Sequence, residues 1–122
     1  MHDPRQSVLV VEDEADVRES LAAVLEAEGY SVIEADNGET ALRKLRDPAS
    51  VCLILLDLFM PVMNGWTFRN EQLRDARLAP IPVVVITADA SAARRAAGMG
   101  VVEAMTKPLD FERLLKLIAE HC

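Results

Sequence analysis

Four segments of this 122-residue chain each run from apolar residues straight into groups that can do chemistry. Ser7–Val11 leads to Glu12-Asp13, Val51–Leu56 to Asp57, Val83–Ile86 to Thr87, and Val101–Met105 to Thr106-Lys107-Pro108. Each group taken singly has an ordinary explanation. An acidic pair starting a helix is favourable near the helix N-terminus, Asp57 could be a solvated strand end, Thr87 a core-edge hydroxyl, and Lys107 a surface amine. Taken together they are three carboxylates, a hydroxyl donor and one cation. Two carboxylates roughly 5 Å apart repel by about 3 kcal/mol at an effective dielectric of 20. Three would raise one another's pKa or require a counter-ion. A hard divalent cation fits, because Mg²⁺ sits on one or two carboxylates together with waters and phosphate oxygens. A carboxylate beside such an ion can act as a nucleophile towards phosphorus, forming an aspartyl phosphate.

The elements that must position these groups alternate along the chain. The strand at Ser7–Val11 is followed by a helix over Glu14–Glu28, with Val17, Leu21, Val24 and Leu25 on one face and Gly29 as its stop. Ser31–Ala35 is a weaker strand. Asn37-Gly38 turns into a helix carrying Ala41, Leu42 and Leu45, ended by Asp47-Pro48. Val51–Leu56 and Val83–Ile86 are apolar throughout, as strands covered on both faces must be. Gly65–Arg77 reads as a third helix, less clearly amphipathic, and Ser91–Ala97 as a short fourth. Val101–Met105 is the last strand. Asp110 then caps a helix whose face is Phe111, Leu114, Leu115 and Ile118. Five strands and five helices in alternation predict one α/β domain with a doubly wound parallel sheet in the order 2-1-3-4-5. In such sheets, sites form beyond the carboxyl ends of the strands where the order reverses. Glu12, Asp13, Asp57, Thr87 and Lys107 all fall on that rim. Asp36, at the end of the edge strand, is left out.

The residues quoted above resemble the receiver domain of two-component response regulators over nearly the whole length. The resemblance rests on Glu12-Asp13 after Val-Leu-Val-Val, Asp57-Leu-Phe-Met-Pro61-Val-Met-Asn-Gly65, Pro82-Val-Val-Val-Ile-Thr87-Ala88 and Thr106-Lys107-Pro108, in that order. It implies a flavodoxin-like domain spanning residues 1–122, with no effector domain in this chain. Asp57 would be the phosphoacceptor, taking a phosphoryl group from a phosphohistidine on a histidine kinase or phosphotransfer protein. Asp13, Asp57 and the carbonyl of Phe59 would ligate Mg²⁺ (or Mn²⁺), with Glu12 acting mainly through metal-bound water. Thr87 and Lys107 would bond the phosphoryl oxygens, small Ala88 would leave room, and the Lys107–Pro108 bond would be cis. Phe59 would screen the site from water, while Asp89 would orient an attacking water. One position departs from the family pattern. Ala104 stands three residues before the lysine, where these domains commonly carry a Tyr or Phe that swings inward on activation. The usual relay is therefore missing, and either another surface or Met105 or Met99 would carry the output.

Composition narrows the remaining classes. A net charge of −7 disfavours a sequence-independent nucleic-acid binder. The cations Arg43, Lys44, Arg46, Arg69 and Arg74 read as solvated helix faces rather than a basic stripe. No apolar run reaches membrane-span length and the N-terminus lacks a signal-peptide core, which points to a cytoplasmic protein. Cys52 reads as core, Cys122 as a frayed end, and His2 and His121 as surface residues; neither cysteine spacing suggests a metal or redox site. An aspartyl-phosphate phosphatase is disfavoured because it would use Asp-x-Asp after the first strand, where this chain has Glu12-Asp13-Glu14 and its one acceptor candidate, Asp57, follows the third strand. A nucleotide or flavin binder is disfavoured because acids stand where a phosphate loop needs glycines or hydroxyls. The remaining alternative is a receiver-like interaction module that acts without phosphorylation. The downstream partner is not encoded, and a homodimer, if formed, would use the fourth and fifth helices by family analogy.

Overall fold

Hydrophobic runs and turn residues set the element order in the computed structural model, which describes residues 6–45 and 50–122. His2, Arg46 and the Asp47-Pro48 helix stop lie outside the described residues. In chain order the elements are β1 (Ser7–Val11), α1 (Ala15–Ala27), β2 (Ser31–Ala35), α2 (Gly38–Lys44), β3 (Val51–Asp57), α3 (Gly65–Arg74), β4 (Val83–Thr87), α4 (Ala90–Ala96), β5 (Glu103–Thr106) and α5 (Phe111–His121). All strand pairs are parallel, in the order β2-β1-β3-β4-β5. This is the doubly wound α/β arrangement expected from the alternation of apolar runs.

β1, β3 and β4 are buried along their whole length because helices cover both faces of the sheet. One core layer joins Ile54, Leu56 and Val85 to Ala41 of α2, Phe68 of α3 and Ala92 of α4. The other joins Leu53, Leu55 and Ile86 to Leu21 and Leu25 of α1 and Leu114 and Ile118 of α5. Each fully buried aliphatic side chain contributes about 1.5–3 kcal/mol. The central strands are thus rigid posts for whatever stands at their tips. Among the described residues, no helix is long and apolar enough to cross a membrane.

Several details differ from the sequence reading. α3 stops at Arg74 rather than Arg77, because Asp75 turns to an extended conformation and its carboxylate accepts the Arg77 N–H at 2.9 Å. β5 is regular only from Glu103, opposite Val84, although the Val102 N–H already donates to the Val83 carbonyl at 2.8 Å. The buried face of α5 is Leu114, Leu117 and Ile118; Phe111 in its first turn is 43% exposed and lines an open groove with Val17, Leu21 and Leu109. Arg69 is not on a solvated face but buried.

The cysteines also require correction. Cys52 is buried as expected, but Cys122 is not a loose end: the two form a disulfide, with Cα atoms 5.4 Å apart across a separation of 70 residues. β3 rises towards the rim while α5 descends from it, so the start of one meets the end of the other. A bulge completes the match. Ser7 pairs with Val51 and Val8 with Leu53, leaving Cys52 as the extra residue. Val51 consequently packs on the α2–α4 side, while Cys52 and Leu53, consecutive in sequence, both pack on the α1–α5 side.

Candidate functional site

The carboxyl ends of β1, β3, β4 and β5 deliver the polar rim. Glu12 follows β1, its backbone N–H donating to the Ala35 carbonyl at 3.0 Å, and its side chain is fully buried. Arg18 of α1 holds the Glu12 carbonyl at 2.8 Å. Asp57 ends β3 and is 6% exposed. Glu12, Asp13 and Asp57 each place a carboxylate oxygen within 4.8 Å of the others, with Asp13 accessible to solvent. Lys107 Nζ lies 2.8 Å from Glu12 Oε1 and 4.0 Å from Asp57 Oδ2. The Lys107–Pro108 bond is cis. The Lys107 backbone N–H donates to the Thr87 carbonyl at 2.8 Å, which ties the loop after β5 to the tip of β4.

Electrostatics sort these groups into different roles. Burial pushes Asp57 up, the neighbouring Glu12 pushes it further, and its carboxyl reaches about 7. Burial also raises Glu12, but hydrogen bonds from Asp57 and Lys107 outweigh it and hold that carboxyl below its usual range. Asp13 is raised by its own desolvation and by Glu12. Burial lowers Lys107, yet Glu12 and Asp57 more than compensate and strengthen its positive charge. Three carboxylates with one ammonium leave an excess of negative charge on hard oxygen donors. That donor set fits a divalent cation such as Mg²⁺.

The loop after Asp57 is fastened by backbone contacts as well as apolar groups. Leu58 and Met60 are buried. Gly65 N–H donates to the Leu58 carbonyl at 2.9 Å, and a Cβ on Gly65 would stand 2.5 Å from the Asp57 carbonyl, so only glycine allows this approach. Gly38 likewise comes within hydrogen-bond reach of the Met63 carbonyl, at 3.0 Å. Val62 sits at φ 67°, a left-handed conformation unusual for a β-branched residue. The Phe59 N–H points back at Asp57 Oδ1, 3.4 Å away, while its side chain is 52% exposed.

The Thr87 hydroxyl oxygen accepts the Asp89 N–H at 3.2 Å and keeps its own proton to donate. Asp89 spends its carboxylate on the first turn of α4, accepting Ser91 and Ala92 N–H groups at 2.8 and 3.2 Å. Asp36 is exposed, and among the described residues its carboxylate accepts from the Asn37 side-chain amide at 3.1 Å. Ala104 is half-buried in β5, opposite Val85, and, like Trp66, Met99 and Val101, packs against the α2–α4 core. Sequence reasoning missed one network beside it. Arg69 donates to the Met99 and Gly100 carbonyls at 3.2 and 3.1 Å, and to Gln72 at 2.7 Å; Gln72 in turn holds the Leu78 and Ile81 carbonyls at 2.9 and 3.0 Å. Two polar residues on the core side of a weakly amphipathic helix were the available signal.

The family described as response regulator receiver domain matches residues 8–119. The chain belongs to the response regulator receiver family. Its relatives include the phosphate regulon transcriptional regulatory protein PhoB of Klebsiella pneumoniae, 37% identical over 113 residues, covering 91% of this chain and 49% of that protein. Protein PilH of Pseudomonas aeruginosa is 33% identical over 115 residues, covering 91% of this chain and 93% of that protein. The response regulator TrrA of Thermotoga maritima, solved in complex with Mg²⁺ and BeF, is 27% identical with a TM-score of 0.83, covering 96% of this chain and 99% of that one. The receiver domain thus spans about half the length of PhoB and nearly all of PilH.

Proposed function

We propose that this receiver domain accepts a phosphoryl group on Asp57 from a phosphohistidine of a histidine kinase or phosphotransfer protein, with Mg²⁺ (or Mn²⁺) as cofactor. The observation that carries the reading is the placement of Asp57 at the tip of the central strand, its carboxylate within 4.8 Å of Glu12 and Asp13 and 4.0 Å from the Lys107 ammonium. Asp13, Asp57 and the Phe59 carbonyl would hold the ion directly and Glu12 through water. A bound ion would supply charge neutralisation at the phosphoryl oxygens and favour the ionised, nucleophilic form of Asp57.

In the transfer, an Asp57 carboxylate oxygen forms the new O–P bond as the P–N bond to the donor imidazole breaks, and the imidazole leaves with the bonding pair. Negative charge spreads over the equatorial oxygens in such a transition state. Lys107 can shift from Glu12 to one of these oxygens, and the free Thr87 proton can donate to another. The two loops bearing them then become the switching element. Because Ala104 offers no aromatic side chain, output passes to a protein partner through the packed neighbours of Ala104 rather than through an inward-swinging ring. The domain assists its own phosphorylation rather than turning over a substrate as an enzyme does, and it acts in the cytoplasm without contacting nucleic acid itself. This function is assigned to residues 1–122 as one domain, whatever else the protein contains.

Incubation with a small phosphodonor and Mg²⁺, followed by intact-mass measurement, tests this directly. A gain of one phosphoryl group is expected, lost in Asp57→Ala, retained in Asp36→Ala and suppressed by EDTA. An unchanged mass in the wild type would instead favour a phosphorylation-independent interaction module.

A further inference from the structure

The disulfide stands at the end of the sheet opposite the acidic rim, and three features of its surroundings bear on its use. The first is the bulge at Cys52. A regular strand would send Cys52 to the side of Ile54 and Leu56, away from α5; the extra residue turns it onto the face that α5 covers. Bulges serve to re-aim side chains in this way. The second is asymmetric access: Cys52 is 7% exposed, whereas Cys122 lies at the half-buried edge of the same cluster. The third is an acceptor already in place for the reduced state. Cys52 Sγ lies 3.5 Å from the Ser7 carbonyl, where a thiol proton would find its partner without movement of the strand.

We infer that Cys52 and Cys122 form a reversible redox clasp, opened and closed by thiol–disulfide exchange with small thiols or dithiol reductants, which fixes or frees the last turn of α5. In opening, an external thiolate attacks the more accessible Cys122 sulfur, and Cys52 leaves as a thiolate that is protonated by solvent and, as a thiol, donates a hydrogen bond to the Ser7 carbonyl. A second external thiol then releases Cys122, so two thiols are oxidised to one disulfide as the protein disulfide becomes two thiols. Closing is the reverse, with a small disulfide as oxidant. The core layer survives either state, because Leu53, Leu55, Leu114, Leu117 and Ile118 pack on that face independently of the sulfur bridge. The moving part is α5, which begins four residues after Lys107 and so connects the clasp to the switching loop.

The test is a titration of the native protein across glutathione redox buffers, quenched with N-ethylmaleimide and read by intact mass. Interconversion between an unlabelled and a doubly labelled monomer is expected, without denaturant. Hydrogen exchange of residues 117–122 should accelerate at least tenfold on reduction, while far-UV circular dichroism stays native. Cys122→Ser should show the fast exchange under every redox condition. Several results would overturn the clasp: a bridge that yields to dithiothreitol only in denaturant, thiols that do not pair within one monomer, or loss of native circular dichroism on reduction. Unchanged exchange in α5 would overturn it equally.

Discussion

Asp57 carries a penalty that its surroundings impose. In the folded chain without metal its carboxyl holds a proton up to about 7, against 3.8 for the free side chain, with burial the first cause and Glu12 the second. Between those two values the folded state binds more protons than the unfolded one, so stability must fall as pH rises through that window. Asp57→Asn removes the titration. In EDTA, the variant should therefore be more stable than the wild type at pH 8, by a few kcal/mol, and melt higher, with the difference closing towards pH 4. Added Mg²⁺ should recover much of the gap in the wild type, and coincident melting curves at pH 8 would show that Asp57 is not so confined. Val62 offers a second test. Its side chain is 77% exposed and packs little, while its φ of 67° disfavours a β-branched residue. Val62→Asn suits that backbone better and should raise stability by about 1 kcal/mol in urea denaturation.

At the scale of elements, legibility tracks how a segment is buried. β3 and β4 announce themselves because both faces are covered, which leaves apolar residues at every position before the terminal Asp57 and Thr87. The rim groups were readable for the same reason, since the first polar residue after such a run must stand at its tip. α3 was harder to read because its core side carries Phe68 together with Arg69 and Gln72, which are buried but hydrogen-bonded to carbonyls of later loops. Hydrophobic periodicity cannot register a face whose burial is satisfied by polar contacts. The bulge at Cys52 was also illegible, since no residue type there marks an extra strand position. The Cys52–Cys122 pairing was nevertheless within reach of topology, which brings the start of β3 and the end of α5 to one edge. The network in α3 makes a firm prediction. Gln72→Ala would take a side-chain partner from the Ile81 carbonyl and one from Arg69, while the Leu78 carbonyl keeps the Ile81 N–H at 3.0 Å, so the domain should lose on the order of 2 kcal/mol. A loss below 1 kcal/mol in chemical denaturation would mean that water replaces the side chain.

The whole molecule is two core layers joined through one sheet, with the disulfide closing a long loop across the α1–α5 layer. A 70-residue separation implies roughly 4 kcal/mol from the restricted unfolded chain. Dithiothreitol should then lower the melting temperature on the order of 15 °C, with no such effect in Cys122→Ser. The opposite layer carries a different opportunity. Trp66 is the chain's single tryptophan, and it stands in the first turn of α3, directly after the loop that follows Asp57. The guanidinium of Arg95 lies 5.2 Å from the centre of its ring, so α4 rests a charge on a chromophore fixed to α3. Any displacement of α4 changes the field and the quenching at that indole. Beryllofluoride with Mg²⁺ should therefore shift the intrinsic fluorescence of the wild type, and Arg95→Ala should blunt the response while leaving the ligands' binding site intact. An unaltered emission would place the motion elsewhere. The stack would report, without any label, a movement of α4 relative to α3.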